Sequence, residues 1–515
     1  MIQDTSFGQE VYISRYANGH EWKFNAYRDH NPDELSSETE QEQGANFIVE
    51  RTSMEDRDLW YAVSTPGLSG WTGQAQVSGE NQGIRTENPK YPLAGQPHIG
   101  VVLKFYGLDP NHPPAGVADL VDIIGVAGTC YSSQDHVIHV LALRKLTDWG
   151  ADPLHPWINQ EVSQSSGLLF QECLLALRGV LGGDERAAEY LLLQILSRSS
   201  ERAPDACRYN VLNLIFPEGF DTKPLVLALE NLLPILSVYN MTISSLNVDH
   251  LMPRFVDDDS AGLLAGRLQL PSATFLVIDE TNMDEGQLND CGVKNIQAIA
   301  ELASNSRLPY IYPYFQTSLA SNMSILALST KSRALVPSQI CFQVSPTFPA
   351  SAASQIDWAG LRTYIRAVSR PRTYTIPQDM ADIIQNNFVE QRQHAWAQTP
   401  ESSTPTFTHQ DLERQLLLAR LIALSLDPLS STVVLSPVPW ERAVLLHNAS
   451  LEAKGVTPGI TEANLSKSLG KLRIDSPPPL PLNAPIDCFY CTSINSMYTD
   501  DYRLLLFSLT VHENP

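Results

Sequence analysis

Short apolar and β-branched runs, broken by Gly, Pro and Asn, mark the first 145 residues: 10–14, 22–27, 46–50, 60–63, 101–106, 120–126 and 136–143. Strands of this length and spacing predict a small Greek-key barrel or sandwich over residues 1–150. The polar, Asn- and Gly-rich stretch 78–96 reads as a long loop between its halves.

Beyond Asp152, Pro153 and Pro156 the pattern changes period. Helical apolar spacing covers 168–180 and 185–197, with Gly182, Gly183 and Asp184 as break and cap. A strand at 209–216, a helix at 224–238 and strands at 242–248 and 273–278 follow. A helix at 293–304 and a strand at 324–328 complete the series. Alternation of this kind predicts a mostly parallel sheet in an α/β domain over 160–350. Residues 355–453 are mainly helical, with Leu and Ala at helical spacing across 409–426. The remainder, 454–515, holds a stiff Pro-rich linker at 476–481 and an irregular tail. The fold class is therefore multidomain α+β.

Composition narrows the chemistry. The 515 residues are 43% hydrophobic and 18% charged, and no apolar run approaches the length of a membrane span. Seven scattered cysteines suit reduced thiols, and Cys488 and Cys491 form a lone CxxC without a second pair. The net charge of −22, with no dense Lys/Arg run, disfavours direct binding to nucleic acid and favours protein partners.

One segment carries the strongest chemical signal. Thr274, Phe275, Leu276, Val277 and Ile278 lead into Asp279 and Glu280, as in the Walker B strand of P-loop ATPases. Such a strand delivers two carboxylates to its C-terminal edge, one to hold Mg²⁺ and one to polarise water. It needs a phosphate loop with glycines, a lysine and a Ser/Thr hydroxyl. The candidate loop, PEGFDTKPL at 217–225, keeps Gly219 and Lys223. Pro224 stands at the hydroxyl position and lacks an N–H, while Glu218 and Asp221 put negative charge where phosphate must sit.

Other constellations are weaker. His136 and His139 lie an odd number apart, so a regular strand turns them to opposite faces. No Gly-x-Ser-x-Gly elbow occurs. Trp22, Phe24, Tyr27, Trp60 and Tyr61 are either barrel core or a base-stacking platform.

Several motifs in one order give a resemblance to a known family. They are MIQD at 1–4, YAVSTPG at 61–67 with Trp71, VADLVDIIG at 117–125 and GDERAAEYL at 183–191. Next come LQLP at 268–271, LVIDET at 276–281, EGQL at 285–288 with Gly292 and Asn295, and ARLIAL at 419–424. Over residues 1–453 the chain resembles the minichromosome maintenance (MCM) complex-binding protein family. That resemblance implies an N-terminal OB-like β-barrel, a degenerate AAA+-like α/β domain and a C-terminal helical lid. It also implies a nuclear protein that binds MCM helicase subunits and meets chromatin indirectly. Its work would lie in DNA replication, in MCM complex assembly or unloading, and in sister chromatid cohesion.

In the MCM register the sensor asparagine falls on Thr330, the arginine finger on Gln339 and the lid arginine on Glu413, one residue before Arg414. An arginine finger is worth roughly 10³–10⁵ in rate. The degenerate positions are thus Gly219, Lys223, Pro224, Asp279, Glu280, Thr330 and Gln339, and the expectation is a protein with no catalytic residue, metal or cofactor. Asp279 and Glu280 then end a core strand, cap the following turn or pair with Lys223; otherwise they form a partner-binding edge or a relic divalent-ion site. An active AAA+ ATPase and a single-strand DNA-binding OB protein are the alternatives. Three departures stand beside the resemblance. The resemblance implies a segment before MIQD, and hence the expectation that this chain is a fragment or a product of a misplaced start codon, with an unpaired barrel edge. The charged insert of the family's barrel is only a short polar loop, and residues past about 452 lose the likeness.

Overall fold

The computed structural model describes residues 1–18, 21–24, 26–27, 29, 52–72, 86–128, 136–146, 160–197, 211–256, 262–330, 334–350, 356–369, 372–398, 407–428 and 430–453. These fall in two compact units, one of 1–159, 171–198 and 210–366, the other of 160–170, 199–209 and 367–515. The molecule is a mixed α/β multidomain protein with several sheets. The expected strand at 46–50, the linker at 476–481, the tail and the CxxC lie outside the described residues.

In the first unit, β1 (Ile2–Asn18), β2 (Glu21–Phe24), β3 (Thr52–Val63), β4 (Gly100–Tyr106), β5 (Val121–Gly128) and β6 (His136–Lys145) form one sheet in the order β2-β1-β3-β4-β6-β5. All its pairs are antiparallel except β4–β6. Register shifts along β1–β3, at Ile2/Asp4, Asp4/Gly8 and Ile13/Arg15, are the bulges that let so long a strand bend. Both faces of the C-terminal end of β3, residues 60–63, are buried. Trp60 and Ala62 pack with Ile2, Leu103, Phe105 and Val140. Tyr61 and Val63 point the other way, into a core shared with Ile235, Tyr239, Leu263 and Leu276. Trp60 and Tyr61 are therefore core, whereas Phe24 and Tyr27 are exposed. The side chain of Trp22 lies outside the described residues.

Helices α1 (Gln160–Val180) and α2 (Glu185–Ser197) precede a parallel sheet. Its strands are β7 (Val211–Ile215), β8 (Leu236–Asn240), β11 (Phe275–Asp279), β14 (Ser324–Ser329) and β15 (Ile340–Gln343), in the order β15-β7-β14-β11-β8. Helices α3 (Lys223–Leu232), α4 (Ile243–Val248) and α5 (Asp290–Asn305) connect them. A second sheet, β10-β9-β12-β13, is built from β9 (Arg254–Val256), β10 (Gly262–Leu264), β12 (Arg307–Ile311) and β13 (Gln316–Ala320). Its short strands gave no periodic signal.

Two expectations fail between residues 224 and 248. The helix stops at Leu232 because Pro234 forces Leu233 into extended backbone, and β8 follows where helix was expected. The expected strand 242–248 is the helix α4. Thr242 starts it with a capping box: its hydroxyl accepts from Ser245 N at 3.1 Å, and Ser245 Oγ accepts from Thr242 N at 2.9 Å. The β-branched Thr242, Ile243 and Val248 had suggested the opposite.

The β1–β6 sheet is keyed to the α/β layer by backbone contacts. Leu236 N donates to Gly67 O and Ser69 N to Pro234 O, both at 2.9 Å. Gly67 has φ +70°, and a Cβ there would lie 2.5 Å from Leu236 O, so only glycine permits the approach. Nearby, Trp71 Nε1 donates to Glu230 O, and the Arg362 guanidinium lies 3.9 Å from the Trp71 ring centre. At the other end Gln3 Nε2 donates to Leu263 O and Gln269 Nε2 to Gln3 O, and buried Lys90 pairs with buried Asp4 at 3.3 Å.

In the second unit, α7 (Gln378–Gln398), α8 (His409–Leu426) and α9 (Pro437–Ala453) accompany a parallel pair, β16 (Thr373–Thr375) with β17 (Thr432–Val434). Gln415 Nε2 donates to Gln391 Oε1 between α8 and α7. Asp411 caps α8, accepting from Thr408 N and Oγ1 at 2.8 Å each. Arg414 spends its charge on the same carboxylate at 2.8 Å. Helix α6 (Trp358–Val368), which carries Arg362, belongs to the first unit through residue 366.

Candidate functional site

Strand β11 is buried throughout, and its parallel register with β8 and β14 carries Asp279 to the C-terminal edge of the sheet. The loop after β7 opens on the same edge. There Thr222 Oγ1 donates to Asp279 Oδ2 at 3.2 Å. The other oxygen, Asp279 Oδ1, accepts from Thr281 N at 2.9 Å and Thr281 Oγ1 at 2.6 Å. Asp279 thus caps the turn that follows its strand.

Glu280 is committed elsewhere. Its two oxygens accept from Leu335 N at 3.0 Å and Val336 N at 3.1 Å, tying the loop before β15 to the end of β11. Burial pushes its carboxyl above the usual carboxylate range; the two N–H donors pull it back only in part. Lys223 is exposed, and no ion pair joins it to either acid among the described residues.

The start of α3 is spent on the protein itself. Gly219 has φ +81°, with open space around its Cβ position. Lys223 N donates to Asp221 Oδ1 at 3.1 Å, and Pro224 brings no N–H to the first helical turn. A carboxylate of the chain therefore sits on the amide that an anion site would use.

Thr330, half-buried, follows β14 directly on this edge. Gln339 does not join the group. It precedes β15, and its Oε1 accepts from Val211 N at 3.4 Å, at the N-terminal start of β7. Three residues here were not candidates from sequence. Thr222 was legible as a hydroxyl beside Lys223 but was passed over for position 224; Leu335 and Val336 act through backbone N–H and leave no sequence mark.

A separate buried polar cluster lies in the β1–β6 sheet. Asp29 accepts from Arg57 at 2.6 Å and Lys104 at 2.7 Å and lies 3.2 Å from His139 Nε2; His139 Nδ1 is 2.6 Å from Tyr106 Oη. His139 is buried and His136 exposed. Burial works against the Asp29 charge, yet the bonds from His139, Lys104 and Arg57 hold its carboxyl well below the usual range. Among the described residues no helix is long and apolar enough to cross a membrane.

The fold and the site together define a mixed α/β protein whose five-stranded parallel sheet carries Asp279 and Glu280 at its C-terminal edge, beside a turn whose Lys223 amide is taken by Asp221. A family profile described as Mini-chromosome maintenance replisome factor matches residues 1–126 and 132–451, and the chain belongs to that family. Among proteins named Mini-chromosome maintenance complex-binding protein, that of Salmo salar is 31% identical over 288 residues, 53% of this chain and 43% of its own. That of Gallus gallus is 30% identical over 333 residues, 60% and 50% of the two chains. That of Bos taurus is 29% identical over 391 residues, 68% and 58%. The chain spans about half the length of these relatives.

Proposed function

We propose that this chain is a non-enzymatic binding and assembly factor for the MCM helicase. It works in the nucleus, in DNA replication, in the assembly or unloading of MCM complexes and in sister chromatid cohesion. It meets chromatin through MCM subunits, needs no cofactor, and neither enters a membrane nor binds nucleic acid directly. In this reading residues 1–150 are an OB-like barrel, the parallel sheet is a degenerate AAA+-like domain, and the helices of 355–453 are its lid. The family membership and the relatives' names support the partner. Numbered in their own order, the five parallel strands run 5-1-4-3-2, with the loop after strand 1 and the acids after strand 3, which supports the AAA+-like reading.

The observation that carries the non-enzymatic reading is the engagement of Asp279 by Thr281, of Glu280 by the Leu335 and Val336 amides, and of Asp221 by Lys223 N. The Thr222–Asp279 bond favours the second reading, an ATPase, since a loop hydroxyl near a Walker B acid is what Mg²⁺ coordination uses. Calorimetric titration with Mg²⁺–ATP separates the two. The proposal expects no saturable heat; saturable heat that disappears in Lys223→Ala would overturn it.

A further inference from the structure

Two loops at the C-terminal edge of the parallel sheet line a shallow, open depression of about 360 Å³. Pro217, Glu218, Gly219 and Phe220 come from the turn after β7, and Pro346, Thr347, Phe348 and Pro349 from the segment after β15. Its walls are set by the surrounding fold. Phe220 stacks on Phe216, with ring centres 4.8 Å apart and planes 18° from parallel. Thr347 N and Phe348 N both donate to Gly182 O, at 2.7 and 3.2 Å. Gly182 (φ +68°) and Gly183 (φ +98°) let that loop come close: a Cβ on either would sit 2.5 Å from Pro346 or Phe348.

The lining combines three prolines and two phenylalanines with a single charged side chain, Glu218, and contains no Lys, Arg or His. Phe348 is 42% exposed, so the aromatic wall faces solvent. On a chain of net charge −22, an aromatic wall beside a carboxylate selects for a cation. A guanidinium fits better than an ammonium, because it is planar, weakly hydrated, stacks on rings and forms directed bonds to carboxylates.

We propose that this depression receives an arginine side chain from a basic segment of a protein partner, its guanidinium laid on Phe220 and Phe348 and paired with Glu218. The inference rests on the reading above that the chain binds a protein partner, and names the chemistry by which it does so. Nucleotide is the contrasting ligand, and Glu218 and Asp221 oppose its phosphates.

Saturation-transfer NMR of N-acetyl-arginine amide with the full chain, at about 0.15 M salt, reads the site directly. Saturable binding is expected, weakened about tenfold or more by Glu218→Lys and by Phe348→Ala, and untouched by Mg²⁺–ATP. Glu230→Lys, an exposed acid that does not line the depression, should leave it unchanged. Absence of saturable binding, insensitivity to Glu218→Lys, or displacement by Mg²⁺–ATP would overturn the proposal. Binding of the same variants to purified MCM complex is the second arm. Wild-type affinity in both Glu218→Lys and Phe348→Ala overturns the arginine site and leaves the partner reading standing. Loss of MCM binding by the wild type, with arginine-amide binding intact, overturns the partner reading alone.

Discussion

Thr222 Oγ1 lies 3.2 Å from Asp279 Oδ2, joining the turn after β7 to the end of β11. The hydroxyl comes from the residue before Lys223, two positions earlier than a P-loop would place it. The bond makes Asp279 part of the scaffold. Asp279→Ala would leave the Thr222 and Thr281 donors without their acceptor, and should lower unfolding stability by about 1–3 kcal/mol in a urea titration. Saturating Mg²⁺–ATP should not raise the wild-type midpoint, whereas a ligand at 100 times its Kd would add about 2.7 kcal/mol.

Glu280 holds the approach to β15 through the amides of Leu335 and Val336. Glu280→Ala should speed hydrogen exchange at those two amides and cost about 1.5–3 kcal/mol, the range for a hydrogen bond to a charged group. Glu280→Gln, which keeps one acceptor oxygen, should retain part of the protection. Unchanged exchange in the alanine variant would show that the loop is held by other contacts.

Gly67→Ala tests the seam between the β1–β6 sheet and the α/β layer. The new Cβ meets a backbone oxygen at 2.5 Å, and alanine disfavours φ +70°. A loss of more than about 1 kcal/mol is expected, read as a lower denaturant midpoint.

Asp411 makes the second unit acid-sensitive. Burial alone would raise its carboxyl, but the bonds from His447 and Thr408 more than offset this and hold it well below the usual range. A depressed folded-state value means stability that is fully present above the unfolded value of about 3.9 and lost as pH falls below it. Asp411→Asn should lower the melting temperature at pH 7 and flatten its decline between about pH 5 and pH 3. Parallel melting curves of variant and wild type over that window would contradict the assignment.

Much of the architecture was legible because its signals are local. The apolar run before Asp279 marked a buried parallel strand, and Gly182 and Gly183 marked a helix break. The 224–248 stretch was misread because Pro234 and the Thr242–Ser245 box act against a continuous apolar and β-branched pattern. The motifs that carried the family resemblance hold the fold together. Gln3, Asp4, Gly67, Trp71 and Gln269 make the seam between sheet and α/β layer. Asp184 caps α2 and takes Ser345 N, while buried Asn295 binds the carbonyls of Leu246 and Asp249. The partners of Glu280 were illegible because backbone N–H groups 55 and 56 residues away carry no side-chain signature.

The central claim is that this chain binds the MCM complex as a scaffold and not as an ATPase. Titration of the full chain against purified MCM complex by biolayer interferometry, with and without Mg²⁺–ATP, tests it most directly. Saturable binding with the same affinity in both conditions, retained in Lys223→Ala, is the predicted result. No binding, or binding that requires ATP and is lost in Lys223→Ala, would contradict it.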